Sequence, residues 1–104
     1  MVQGIENLTH IMGHIVARER HPTLADFNLV RLHVTAAEPV SGKANLLAES
    51  PGQEIGLAVR RDLLGEARIG DILKCRAKRT PDGAMAEPHP DPGDFTVMPK
   101  PRET

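Results

Sequence analysis

Between residues 27 and 36 the side chains alternate with a period of two, and this alternation constrains the chain more than any other feature. Asn28, Val30, Leu32, Val34 and Ala36 fall on one side; Phe27, Leu29, Arg31, His33 and Thr35 fall on the other. Successive side chains of a strand point to opposite faces, so the first set, largely apolar and β-branched, predicts a strand with that set turned inward. Residues 72–79 repeat the pattern. There Leu73, Cys75 and Ala77 alternate with Lys74, Arg76 and Lys78, an apolar face against a fully basic one. Residues 54–60 read as a further strand, with Ile55, Leu57 and Val59 on one side.

What separates these segments is turn chemistry. Nine prolines and nine glycines favour many reversals over long helices. Residues 38–43 and 50–53 read as turns, and residues 44–49 between them as a strand-like arm. Pro81-Asp82-Gly83 predicts a hairpin, with residues 84–87 returning as the next strand. Residues 61–68 suggest a short helical turn that ends near Gly65. Residues 8–20 admit two readings. Ile5, Leu8, Met12 and Ile15 recur at helical spacing; read with period two, Ile11, Gly13, Ile15 and Ala17 share one side and His10, Met12, His14 and Val16 the other. Gly13 costs a helix interior about 1 kcal/mol relative to Ala, which favours the strand. Pro22 then breaks the element, because the residue before proline avoids helical geometry.

With 104 residues there is room for one domain and one modest core. Phe27 and Phe95 are the only aromatic residues besides histidine, so Leu, Ile, Val, Ala and Met must build that core. No apolar run is long enough to span a membrane, and the first residues lack the basic and apolar regions of a secretory signal. The single cysteine, Cys75, has no partner for an internal disulfide, which suits a reducing, cytoplasmic setting. Net charge is −1, but it is polarised: residues 60–79 carry seven basic and three acidic residues, residues 80–104 two basic and five acidic.

The order strand, long strand, arm, strand, short helix, strand, hairpin, strand is that of an all-β, five-stranded OB-type barrel with its helix between the third and fourth strands. Residues 1–87 would form the barrel. Residues 88–104 would form a Pro-rich acidic segment, with one edge pairing at Phe95-Thr96-Val97 and then a frayed tail. Ile11-Met12-Gly13-His14-Ile15-Val16 followed by Phe27-Asn28-Leu29-Val30-Arg31-Leu32-His33-Val34 resembles the opening strands of bacterial single-stranded DNA-binding proteins and primosomal replication protein N. Ile69-Gly70-Asp71-Ile72-Leu73-Lys74-Cys75 with Asp82-Gly83 is similar to their fourth strand and hairpin. The resemblance covers roughly residues 9–87 and implies a single-stranded nucleic-acid-binding protein of replication, repair or mobile-element maintenance, assembled as a dimer or tetramer. The chain departs from these families in offering only Phe27 as an aromatic platform on the expected surface, and in ending Lys100-Pro101-Arg102-Glu103-Thr104 rather than in an acidic, Phe-tipped tail.

The candidate site is basic. Lys74, Arg76 and Lys78 at alternate positions place three cations about 6–7 Å apart along one strand face. Arg79 follows at the turn, and Arg31, Arg60 and Arg61 stand on neighbouring elements. Such a row suits the phosphates of a nucleic-acid strand, with Phe27 as a stacking platform; it equally suits a solvated face whose charges discourage aggregation. His10 and His14 share a strand face, but no Cys pair or acidic motif completes a metal set, so exposed histidines and no metal are expected. Cys75 falls on the apolar side as a small buried residue. No nucleophile elbow, fixed carboxylate pair or phosphate-cradling glycine loop occurs, so neither catalysis nor a cofactor is predicted. A reading from another class is a protein-interaction module, a small barrel docking a larger enzyme or regulator; it accounts for the few aromatics and the near-neutral charge.

Overall fold

In the structure, a computed structural model that describes residues 6–100, the alternating segments become strands. They are β1 (Thr9–Arg20), β2 (Phe27–Pro39), β3 (Glu54–Arg60), β4 (Ile72–Thr80), β5 (Gly83–Ala86) and β6 (Phe95–Met98), with one short helix, α1 (Arg61–Leu64), between β3 and β4. The first five strands follow the order β1-β2-β3-β5-β4, and β4 pairs back onto β1. Each pairing is antiparallel except β3–β5, which runs parallel through Leu57–Ala84 and Ala58–Met85. The result is a closed five-stranded mixed barrel with one short helix, a small all-β OB-type barrel.

Closure depends on two irregularities in the β1–β2 ladder. Thr35 of β2 is passed over between the pairs Met12–Ala36 and Gly13–Val34, and Val16 of β1 between Ile15–Leu32 and Ala17–Arg31. An extra residue on one strand bends it and sharpens its twist, which a closing sheet requires. Each bulge also reverses the faces beyond it. Ala36, expected inward, pairs with Met12, and Ala37 packs against the core in its place. Ala17, expected to share the side of Ile11, Gly13 and Ile15, pairs instead with exposed Arg31.

Ile11, Ile15, Val30, Leu32, Val34, Leu57, Val59, Leu73 and Cys75 fill the interior. Each fully buried Leu or Ile contributes about 1.5–3 kcal/mol. Leu64 and Ala67 close the end where β3 runs into α1, and Leu47 closes the end where β3 begins. Arg18 anchors the α1 end: Nη1 donates to the carbonyls of Gly65 (2.9 Å) and Ala67 (2.8 Å), and Nε to Asn28 Oδ1 (2.7 Å). That last bond explains how a polar Asn28 occupies an inward position of β2.

Two expectations need correction. Residues 44–49 are turns rather than an arm, apart from a parallel bridge between Ala44 and Asn7. Thr9 Oγ1 holds this segment by donating to Asn45 Oδ1 (2.7 Å). Phe95, expected beyond the barrel, packs against its core together with Val97. Both lie on β6, which takes the β4 edge left open below β5, from Cys75–Phe95 to Ile72–Met98. Among the described residues no helix is long and apolar enough to cross a membrane. Ile5 of the helical alternative and the last four residues of the expected tail lie outside the described residues.

Candidate nucleic-acid interface

The β4 alternation holds in three dimensions. Leu73, Cys75 and Ala77 are buried, while Lys74 and Lys78 are exposed on the outer face. Arg76, between them, is not an open cation. Its Nε donates to Glu87 Oε1 (2.5 Å) and its Nη2 to Glu87 Oε2 (2.8 Å), a bidentate pair, with Asp94 Oδ2 3.6 Å from Nη2. The hydrogen bond to Glu87 raises the Arg76 pKa above its ordinary value, and the charges of Glu87, Asp94 and Asp91 add to the effect. The expected row of three cations is thus two open lysines flanking a neutralised centre. Glu87 stands there because it continues the β4–β5 ladder, its backbone N–H donating to the Arg76 carbonyl (3.0 Å).

Arg60 is also engaged. It holds Asp62 through Nε (3.0 Å), and its Nη1 donates to the Pro88 carbonyl (2.7 Å) and to His89 Nδ1 (3.1 Å). Phe27 is the cross-strand partner of Arg60. The two line a cleft of about 410 Å³ with Asp26, exposed Arg61, Asp62, Pro88 and His89. Arg31 projects from the outer face of β2, 63% exposed, with Glu54 Oε1 3.9 Å away. Arg79 ends the basic run beside the hairpin, its backbone N–H donating to Asn7 Oδ1 (2.6 Å). Lys74, Lys78 and Arg79 line three separate clefts. The predicted residues therefore do not converge on one groove: Phe27, Arg60 and Arg61 meet, Lys74 and Lys78 flank Arg76 on the outer β4 face, and Arg31 and Arg79 stand apart.

Sequence reading missed a different grouping. His14 of β1 and His33 of β2 are cross-strand partners whose rings stack with centroids 4.8 Å apart and planes 28° apart. Next to them on β2 stand Arg31, Leu29 and Phe27. Across on β3, Gly56 and Ala58 stand opposite Arg31 and Leu29. The outer β1–β2–β3 face thus carries three ring systems and an exposed guanidinium. Both histidines sat at outward positions of alternating segments; their meeting depended on bulge registers that alternation does not reveal.

Among the described residues no group of three or more His, Cys, Asp or Glu is placed to hold a metal ion. His10 lies opposite Arg76, whereas His14 turns to His33. Burial pushes the Cys75 thiol up to about 12, with the Glu87 charge adding to it, so it stays protonated near neutrality.

The fold and this surface define a small OB-type barrel with basic and ring-bearing outer positions. Comparison with family models, curated proteins and solved structures gave no match.

Proposed function

We propose that this barrel is a non-enzymatic module that binds single-stranded nucleic acid on the outer β1–β2–β3 face. The observation that carries this reading is the stacked His14–His33 pair beside exposed Arg31, with Phe27 further along the same strand. Ring faces accept bases without regard to sequence, each stack contributing about 1–3 kcal/mol, and an exposed guanidinium pairs with the backbone phosphate. Lys74, Lys78, Arg61 and Arg79 make no ion pair among the described residues and add a diffuse positive field around the barrel. The resemblance to single-stranded DNA-binding proteins and primosomal replication protein N agrees with this reading. It extends the proposal to a cytoplasmic homo-oligomer serving replication or mobile-element maintenance.

Fluorescence anisotropy of a labelled single-stranded oligonucleotide at low and moderate salt tests the proposal. Binding should weaken with salt, with a log–log slope near −0.7 per phosphate contact. His33→Ala and Phe27→Ala should weaken it at every salt concentration, whereas Arg31→Ala should also flatten the slope. No binding even at low salt would reject the reading. A protein-interaction module would then take its place, favoured by exposed Ile69 (67%) and Met98.

A further inference from the structure

Residues 83–98 form one strand along β4, interrupted in the middle. Along β5, Thr80 faces Gly83 and Ala77 faces Ala86; one step further, Glu87 donates its N–H to the Arg76 carbonyl. The next β4 residue, Cys75, faces Phe95, and β6 continues to Ile72–Met98. The ladder thus passes from Arg76 to Cys75 on β4 while the opposite chain advances from residue 87 to residue 95. Residues 88–94 are looped out as a strap. Pro88, Pro90 and Pro92 cannot donate to a ladder. The strap's exit is a turn in which the Asp94 N–H donates to the Asp91 carbonyl (3.0 Å).

The strap is held by arginines that the sequence marks as phosphate-binding. Arg76 takes Glu87 at its entrance and Asp94 at its exit, while Arg60 takes the Pro88 carbonyl and His89. No residue of the strap is buried, so polar contacts rather than an apolar core keep it in place. Its exit contact is the looser one, because Asp94 stands 3.6 Å from Arg76, beyond good hydrogen-bond distance.

We propose that this strap is an acidic gate. The carboxylates at its two ends, Glu87 and Asp94, occupy Arg76 in place of phosphate, and a single-stranded nucleic acid displaces them and lifts the strap from the β4 face. The proposal rests on the nucleic-acid reading above and adds to it a second, latent contact surface made of Lys74, Arg76, Lys78 and Arg60. Displacement exchanges one set of anions for another around the same guanidinium, so no arginine is left buried without a partner.

The test compares the parent chain with Glu87→Gln/Asp94→Asn, which keeps side-chain shape and removes both charges. A charge-matched control, Glu66→Gln/Asp82→Asn, removes the same charge from exposed positions on the α1 end and the hairpin tip. Anisotropy with a labelled single-stranded oligonucleotide should show roughly tenfold tighter binding for the strap variant alone, at an unchanged salt slope, because both bound forms contact the same phosphates. Equal tightening in both variants would reduce the effect to net charge and overturn the gate. An unchanged strap variant beside a binding parent would overturn the gate while leaving the nucleic-acid reading intact. Absence of binding in every form would remove both. Amide hydrogen exchange of the unmodified chain supplies a readout that needs no variant. Saturating oligonucleotide should speed exchange at the Glu87 amide, which donates to the Arg76 carbonyl, by several-fold, and unchanged or stronger protection there would overturn the lifting step.

Discussion

Gly13 lies where β1 is clamped between two neighbours, opposite Val34 on β2 and Leu73 on β4. A Cβ added there would stand 2.9 Å from the His33 carbonyl carbon, closer still to its oxygen, and 3.0 Å from Leu32 Cγ. An ordinary separation is about 3.5 Å. The obstacle is backbone that cannot rotate away, so Gly13→Ala forces β1 and β2 apart at the bulge. Overpacking costs about 1–3 kcal/mol, and one ladder bond lost adds about 1 kcal/mol. Reduced freedom of the unfolded chain returns about 0.4–1 kcal/mol. The net loss is about 2.5 kcal/mol, a large fraction of the roughly 5–15 kcal/mol by which a domain is stable. The thermal midpoint should fall by roughly 10–20 °C. Gly56→Ala is the internal control: its added Cβ meets only Leu29 Cδ1 at 3.7 Å, an ordinary contact on a strand. It should be neutral or stabilising by up to about 1 kcal/mol. Urea denaturation of both, fitted with a common slope, measures the difference. If Gly13→Ala proves as stable as Gly56→Ala, the close β1–β2 approach that closes the barrel is wrong.

Other outcomes follow from the same packing and burial. Leu57→Ala, at a position with no solvent exposure, should cost about 2–5 kcal/mol by chemical denaturation, whereas Leu46→Ala, half exposed, should stay within about 0.5 kcal/mol of the parent. Gly83→Ala combines a φ of +141° with an added Cβ 2.7 Å from the Gly56 carbonyl oxygen. It should destabilise the β3–β5 closure by about 2 kcal/mol or more, read as faster amide exchange in β5. Cys75 gives a pH dependence. Below the ordinary thiol value of 9.0 the folded and unfolded chains both keep the proton. Above it only the unfolded chain releases one, until the folded thiol titrates near 12, so stability falls as pH rises through that window. The loss is up to about 1.4 kcal/mol per pH unit. Cys75→Ala should be the flatter of the two between pH 9 and 11 in urea titrations, and identical slopes would refute the burial.

Local sequence determined the strands and their faces. Period two at residues 27–34 and 72–79 placed Val30, Leu32, Val34, Leu73, Cys75 and Ala77 inside, because a strand cannot turn one residue without turning its neighbour the other way. Pro81-Asp82-Gly83 and Gly65 marked the hairpin and the helix end for equally local reasons. Only the tertiary structure decided the rest. A bulge is invisible to alternation, so Ala36 and Ala17 changed sides and His14 met His33 through a register that depends on how the barrel closes. The fate of the basic row was likewise not local. Lys74, Arg76 and Lys78 look equivalent in sequence, yet Arg76 alone faces Glu87 and Asp94, two carboxylates brought to it because residues 88–94 leave the ladder and the chain returns to the same strand. Charge on a strand face is written in sequence; which charges remain open to a ligand depends on what folds back across them.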